Sequence, residues 1–208
     1  MNPLEESTSL IVAAPLRVEA LALRRGAAGM RVVRTGMGPA RARRAAQMLA
    51  RDPARALAIA GVCGALDASL VPGDVFVAEV LLAPDGSLVR RIDAAPLVSA
   101  LAARGIAAQT GALVCVERLV RGYDRVALRA HGARAVDMES TWLADAAGDR
   151  PLAVLRVVSD GPDHELWSRG IVKSGLAALR ALRDAAPALP DWARNVSRAA
   201  APRAAQRG

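Results

Sequence analysis

Asp137, Glu139, Arg156 and Asp160 all fall in one stretch of the chain, GARAVDMESTWLADAAGDRPLAVLRVVSDGP, from Gly132 to Pro162. An ionised carboxylate accepts hydrogen bonds through two oxygens, and one kept neutral by burial can act as a general acid. Taken singly, each acid has a structural role open to it: Asp137 and Glu139 can cap a helix start, and Asp160 can open a turn. Their convergence on one predicted edge, with Arg156 in the strand between, points to a site.

The elements around these residues are legible from period. Residues 133–138 form a short apolar run that predicts a strand. Met138, Trp142, Leu143, Ala146 and Ala147 then recur at helical spacing, and Gly148 supplies the stop. Residues 152–158 are nearly continuous apolar, as in a strand covered on both faces, and end in Ser159, Asp160, Gly161 and Pro162. A strand, helix, strand unit of this kind predicts parallel neighbours joined by a right-handed crossover, with Glu139 and Asp160 both at the carboxyl edge.

The remaining chain supplies supporting elements. Residues 10–14 predict a strand, followed after Pro15 by a helix ending near Gly26; Glu19, early in that helix, can be solvated or can face the same edge as Glu139. Residues 30–35 predict a second strand. GMGPARARRAAQML follows as a turn and an Arg- and Ala-rich helix. The GMG turn lacks the rest of a phosphate-cradling fingerprint and reads as a tight turn. A strand over 56–60 runs into GVCGALD, whose Gly61, Gly64 and Ala65 allow close backbone approach to a ligand. A PGD turn opens a strand within 71–82. Helices are expected over 93–105, 121–130 and 171–185, and a strand over 109–116. Residues 1–8 and 187–208 are expected to be flexible termini, the latter basic, around one domain over 9–186.

Composition narrows the function class. A chain of 208 residues holds one well-buried domain. Its hydrophobic fraction is 53%, yet no run is long enough for a membrane span and the N-terminus is acidic, so a cytoplasmic protein is expected. The net charge of +8 comes almost wholly from scattered arginines, Lys173 being the one lysine, and aromatics are only 2%, which argues against nucleic acid as partner. Cys63 and Cys115 form no CxxC pair and read as small buried thiols, and His131 and His164 lack companion ligands, so no metal is expected.

AGVCGALD at 60–67, PGDVFVA at 72–78, AVDMES at 135–140 and RVVSD at 156–160 together resemble the nucleoside phosphorylase and nucleosidase family. Within it the chain looks most like bacterial phosphorylase-like proteins associated with hopanoid biosynthesis. The resemblance implies an α/β fold, a single three-layer domain whose central mixed sheet closes into a distorted barrel flanked by helices. It implies cleavage of the bond between a purine and ribose, in a nucleoside or an adenosyl-hopane-type adduct. By the same resemblance Glu139 accepts from two ribose hydroxyls, Met138 packs on the sugar, and Asp160 protonates the leaving purine, its pKa raised by burial. Glu19 and Arg156 match the pair that holds an attacking water, and Leu119 and Val120 the loop lining the base. Asp137, Cys63 and Gly64 fall on the substrate side.

This sequence departs from the family at three positions. Val62 stands where a serine is common, Ile59 where many phosphorylases have an arginine, and Leu119 where adenine-specific relatives often carry a phenylalanine. Loss of the cation favours hydrolysis, since a buried doubly charged phosphate needs paired cations. Phosphorolysis, with phosphate as co-substrate, remains the alternative; no other cofactor is expected, and a homo-oligomer, most simply a dimer, is. Two readings of other classes stay open, a dinucleotide-dependent oxidoreductase resting on GMG and a silent nucleoside-binding module.

Overall fold

The computed structural model describes residues 10–120, 122–161 and 171–200. In chain order the elements are β1 Leu10–Ala14, α1 Arg17–Gly26, β2 Arg31–Arg34, α2 Pro39–Ala50, β3 Ala56–Ala65, β4 Val75–Leu82 and β5 Leu88–Arg91. They continue as α3 Ala95–Ala102, β6 Ala108–Cys115, α4 Tyr123–Ala130, β7 Ala133–Asp137, α5 Ser140–Ala144 with a 3-10 turn over Asp145–Ala147, β8 Leu152–Asp160, α6 Ile171–Ala185 and α7 Ala188–Ala200.

All strands belong to one mixed sheet. β3 pairs with β7, β7 with β6, β6 with β4, β4 with β8, and β8 with β3 again, so five strands close into a barrel while β1 and β2 extend from it beside β3 and β5 lies against β4. This is the expected single-domain α/β fold with a distorted barrel. Alternation along β1 and β3 sends their side chains into two layers of the core. Leu10, Val12, Ala14, Ala56, Ala58 and Ala60 face one set of helices. Ile11, Ala13, Leu57 and Ile59 face the opposite layer with α2 and α5.

Two expectations are corrected. β7 and β8 are not parallel neighbours. β3, ten residues long, lies between them, running parallel to β8 and antiparallel to β7. A register shift between Cys63 and Gly64 lets Gly64 pair with both Val136 and Asp160. Glu139 and Asp160 therefore meet across the end of β3 rather than along one parallel edge. The second correction concerns the C-terminus, where α7 occupies part of the expected flexible tail. Leu189, Trp192 and Ala193 are buried in the same layer as α6, and Pro190 sits in the first turn, where a missing N–H costs no helical bond. Asp191 is tied to Arg104 beyond the end of α3 at 2.6 Å. Residues 1–9, 201–208 and His164 lie outside the described residues.

Candidate active site

The C-terminal half of β3, the ends of β7 and β8 and the start of α1 bring the predicted residues to one place. Glu19 is not solvated: it is 1% exposed. Its two carboxylate oxygens accept from the N–H of Leu16 at 2.6 Å and of Val62 at 2.8 Å. Val62, lacking the serine hydroxyl, thus contributes through its backbone. Burial pushes the Glu19 carboxyl up, against the pull of the Arg156 guanidinium and the two N–H groups. A carboxylate so placed is a stronger proton acceptor than a free one.

Arg156 is fully buried. Its Nη2 donates to the Asp137 carboxylate and to Ser140 Oγ, the latter at 2.8 Å. Burial opposes its charge, but the carboxylates of Asp137, Glu139 and Glu19 more than offset this, and its pKa is raised. Nε and Nη1 have no protein partner. Gly61 separates Arg156 from Glu19 closely: a Cβ there would lie 2.6 Å from Glu19 Oε1 and 2.7 Å from Arg156 Nη1. A carboxylate and a guanidinium with unpartnered N–H groups thus flank one glycine.

Asp137 has a supporting task. Although it reaches the cavity wall, both its oxygens are engaged, by Arg156, by Ser140 Oγ at 2.5 Å and by the N–H groups of Glu139 and Ser140. These bonds make Asp137 the anchor of Arg156 as well as part of the cavity wall. Cys63 is buried in the core; burial raises its thiol pKa, with Arg156, Asp137 and Asp160 all near enough to act on it, and its carbonyl accepts from Ser159 Oγ at 3.1 Å.

Glu139 Oε1 accepts from Gly38 N at 2.9 Å. Gly38 has φ +90 and precedes Pro39 at the start of α2, so the carboxylate sits on the positive end of that helix. The GMG turn therefore presents its N–H to the protein's own anion. Burial and the nearby Asp137 push the Glu139 carboxyl up to about 7, opposed by Arg156 and the Gly38 N–H.

Beyond Gly64 lies a cavity of about 50 Å³ lined by Gly64, Leu119, Val120, Arg125, Met138 and Asp160, among others. It has room for water and shares Val116 and Val120 with a larger, open cavity of about 510 Å³, the size range of nucleoside-like ligand sites, roughly 300 Å³ or more. Leu119, 51% exposed, stands at the rim. Asp160 is buried but not isolated. One oxygen accepts from Arg125 Nη2, and the other lies 2.9 Å from Ser159 Oγ and shares its one hydroxyl proton with the Cys63 carbonyl. Sequence reasoning missed Arg125, which also donates to Ala65 O at 3.0 Å and Val120 O at 3.4 Å. The available signal was its i, i+3 spacing with Leu128, the other residue α4 buries. Tyr123 and Val126, the apolar residues that suggest a different inner face, are 84% and 64% exposed. Among the described residues no group of acidic, histidine or cysteine side chains is arranged to hold a metal.

Residues 15–182 match the phosphorylase superfamily. No protein of curated function matches the sequence. Among solved structures, the 5′-methylthioadenosine/S-adenosylhomocysteine nucleosidase of Helicobacter pylori superposes with a TM-score of 0.73 at 16% identity, covering 90% of this chain and 99% of its own. The futalosine hydrolase of H. pylori gives 0.73 at 14% identity, covering 92% and 99%. The S-adenosylhomocysteine nucleosidase of Streptococcus pyogenes, in complex with 5-methylthiotubericidin, gives 0.70 at 19% identity, covering 86% and 95%. At these identities the likeness is one of fold.

Proposed function

The chain belongs to the phosphorylase superfamily, and from that premise we propose that it is an enzyme acting on nucleosides, one that hydrolyses the N-glycosidic bond of a purine nucleoside or nucleoside-like adduct. The observation that carries the hydrolytic reading is the pair around Gly61. Glu19, with its pKa raised, accepts a proton from a water that the unpartnered Arg156 N–H groups orient, while Asp137 and Ser140 hold Arg156 in place. Glu139 accepts from ribose hydroxyls, a contact that strengthens as the sugar gains positive charge. Asp160 and Arg125 stand where the base departs. No cofactor is required for these steps.

Phosphate fits this site poorly. The helix N-terminus that could bind it holds Glu139 instead, and a second anion there would meet repulsion. Ile59, at the position where many phosphorylases have an arginine, is buried in the core.

The deciding experiment is release of free base from a panel of nucleosides, including 5′-thio and bulky apolar 5′ adducts of the adenosyl-hopane type, with and without phosphate. Free sugar at a rate indifferent to phosphate is the expected result. Sugar 1-phosphate as the main product, with no turnover in phosphate-free buffer, would establish phosphorolysis, and tight binding without base release would establish a silent module.

A further inference from the structure

We propose that the cavity enclosed by β5, the start of α3, the start of β8 and α7 is a second ligand site, one that takes a small aryl carboxylate. It lies at the end of the barrel away from the catalytic groups. The nine residues of β8 run from Leu152, in the cavity wall, to Asp160, which sets the two sites roughly 25 Å apart at the rise of a strand. α7, which supplies Trp192 and Val196 to the wall, lies beyond the residues 15–182 that match the superfamily. The site is therefore independent of the reaction assigned above.

Three observations carry it. The first is the space itself, about 270 Å³, at the small end of ligand sites, whose range starts at roughly 300 Å³. Its apolar walls come from both layers of the core. Ile92 and Leu152 belong to the layer that packs α2 and α5, whereas Trp192 and the half-buried Val196 belong to the other. The two layers meet here without filling the seam between them, and native interiors leave few gaps of this size unfilled.

The second is that the walls are tied in place. Arg90 fastens β5 to the turn after α5, its Nη atoms donating to Ala144 O at 3.0 Å and Gly148 O at 2.8 Å. The pair of Arg104 with Asp191, at 2.6 Å, holds the first turn of α7 beside α3. Pro96 and Pro151, each with a fixed φ, stiffen two further stretches of wall. A cavity formed in advance spares its ligand the cost of ordering the protein.

The third is charge. Arg91, exposed at the rim, makes no hydrogen bond or ion pair with any described residue. Asp93 is the one acid among the lining residues, and its Oδ1 is engaged by the N–H of Ala95 at 3.2 Å. An unpartnered guanidinium above an apolar floor is the complement of an anion with an apolar body. The planar fork of an arginine matches the two oxygens of a carboxylate. The body is best met by an aromatic ring, which brings a large rigid apolar area to the cavity, whereas a flexible acyl chain must freeze several torsions to enter.

The test is titration calorimetry of the full chain with 2-naphthoate and with 2-naphthol, its uncharged counterpart, in the wild type, Arg91→Gln and Val196→Trp. The wild type should bind the acid about 5- to 10-fold more tightly than the phenol, a ratio between the worth of an exposed ion pair and that of one charge-assisted hydrogen bond. Arg91→Gln should bring that ratio to near unity by weakening the acid alone. Val196→Trp fills the cavity from its rim and should abolish binding of both compounds. A ligand bound only by the folded protein stabilises it, so saturating 2-naphthoate should raise the thermal midpoint of the wild type and leave that of Val196→Trp where it was. If Val196→Trp cannot be purified folded, Val196→Phe is the smaller filler, with binding of both compounds expected to weaken together. Wild-type affinity for 2-naphthoate in the Val196 variants would place the ligand elsewhere on the protein and overturn the proposal. Equal wild-type affinities for acid and phenol, or no binding of either, would also overturn it.

Discussion

Gly61→Ala puts one methyl group between the two side chains assigned to the nucleophile. The added Cβ would lie 2.6 Å from Glu19 Oε1, 2.9 Å from Glu19 Cδ and 2.7 Å from Arg156 Nη1, closer than carbon approaches such atoms. Neither neighbour can retreat freely. Glu19 is held from behind by the N–H groups of Leu16 and Val62, and Arg156 by Asp137 and Ser140. Relief requires strain or the loss of a charge-assisted hydrogen bond, either of which costs roughly 1–3 kcal/mol. The methyl also crowds the space between the two groups that a water would have to enter. A displaced nucleophile costs about 100-fold in kcat, while KM should change little because the sugar and base contacts lie at Glu139 and at Asp160 with Arg125. Urea unfolding and release of free base measure the two effects. Gly175→Ala is the control: nothing lies within 4 Å of a Cβ there, and its position inside α6 predicts stabilisation by about 0.5–1 kcal/mol with unchanged kcat. A Gly61→Ala enzyme with wild-type kcat would refute the assignment of the nucleophile to this pair, and one with wild-type stability would refute the packing argument.

Glu139 makes stability depend on pH. With its carboxyl raised from 4.5 to about 7, the folded protein holds a proton that the unfolded chain has lost, so its contribution is fully present below about pH 4.5 and is lost as pH rises towards 7. The full span corresponds to roughly 3 kcal/mol; Glu139→Gln should remove it, and an unchanged slope in unfolding free energy between pH 4.5 and 7.5 would contradict the assignment. Glu19 shifts in the same direction and leaves a residual slope of the same sign in that variant. Because ribose hydroxyls donate to the ionised form, nucleoside binding by the wild type should tighten as pH rises through about 7, and a Kd flat over that interval would count against Glu139 as the sugar ligand. Trp192→Ala should cost about 3–5 kcal/mol by emptying a buried site on α7, with activity per folded molecule unchanged; a loss under 1 kcal/mol on urea unfolding would place α7 outside the core.

Much of the element pattern was legible because it depends on neighbours in sequence. The apolar runs of β1 and β8, the helical spacing after Met138 and the stop at Gly148 are local signals, and the structure places elements there. Misreadings also had local causes. Apolar residues at 188, 189, 192, 193 and 196 do follow helical spacing, but the prolines at 187 and 190 obscured α7. β5, with three exposed residues and one half-buried one, lacks the alternation that marks a strand.

Site chemistry divides along the same line. Glu139, Asp160, Glu19 and Arg156 could be picked out by residue type, position and resemblance, because the three acids stand near the start or end of an element and Arg156 is a charge inside an apolar strand. What each carboxylate does depends on partners far away in sequence: Glu19 on Val62, Glu139 on Gly38, Asp160 on Arg125. That Asp137 holds Arg156 is not visible in sequence, since a side chain's partners follow from which groups surround it. Arg125 shows the converse, an arginine on an otherwise unremarkable helix that only barrel closure brings to Asp160. Periodicity says which face of an element is apolar, but the burial that shifts a carboxyl's pKa, and the guanidinium or N–H that opposes it, come from strands and helices that meet only in three dimensions.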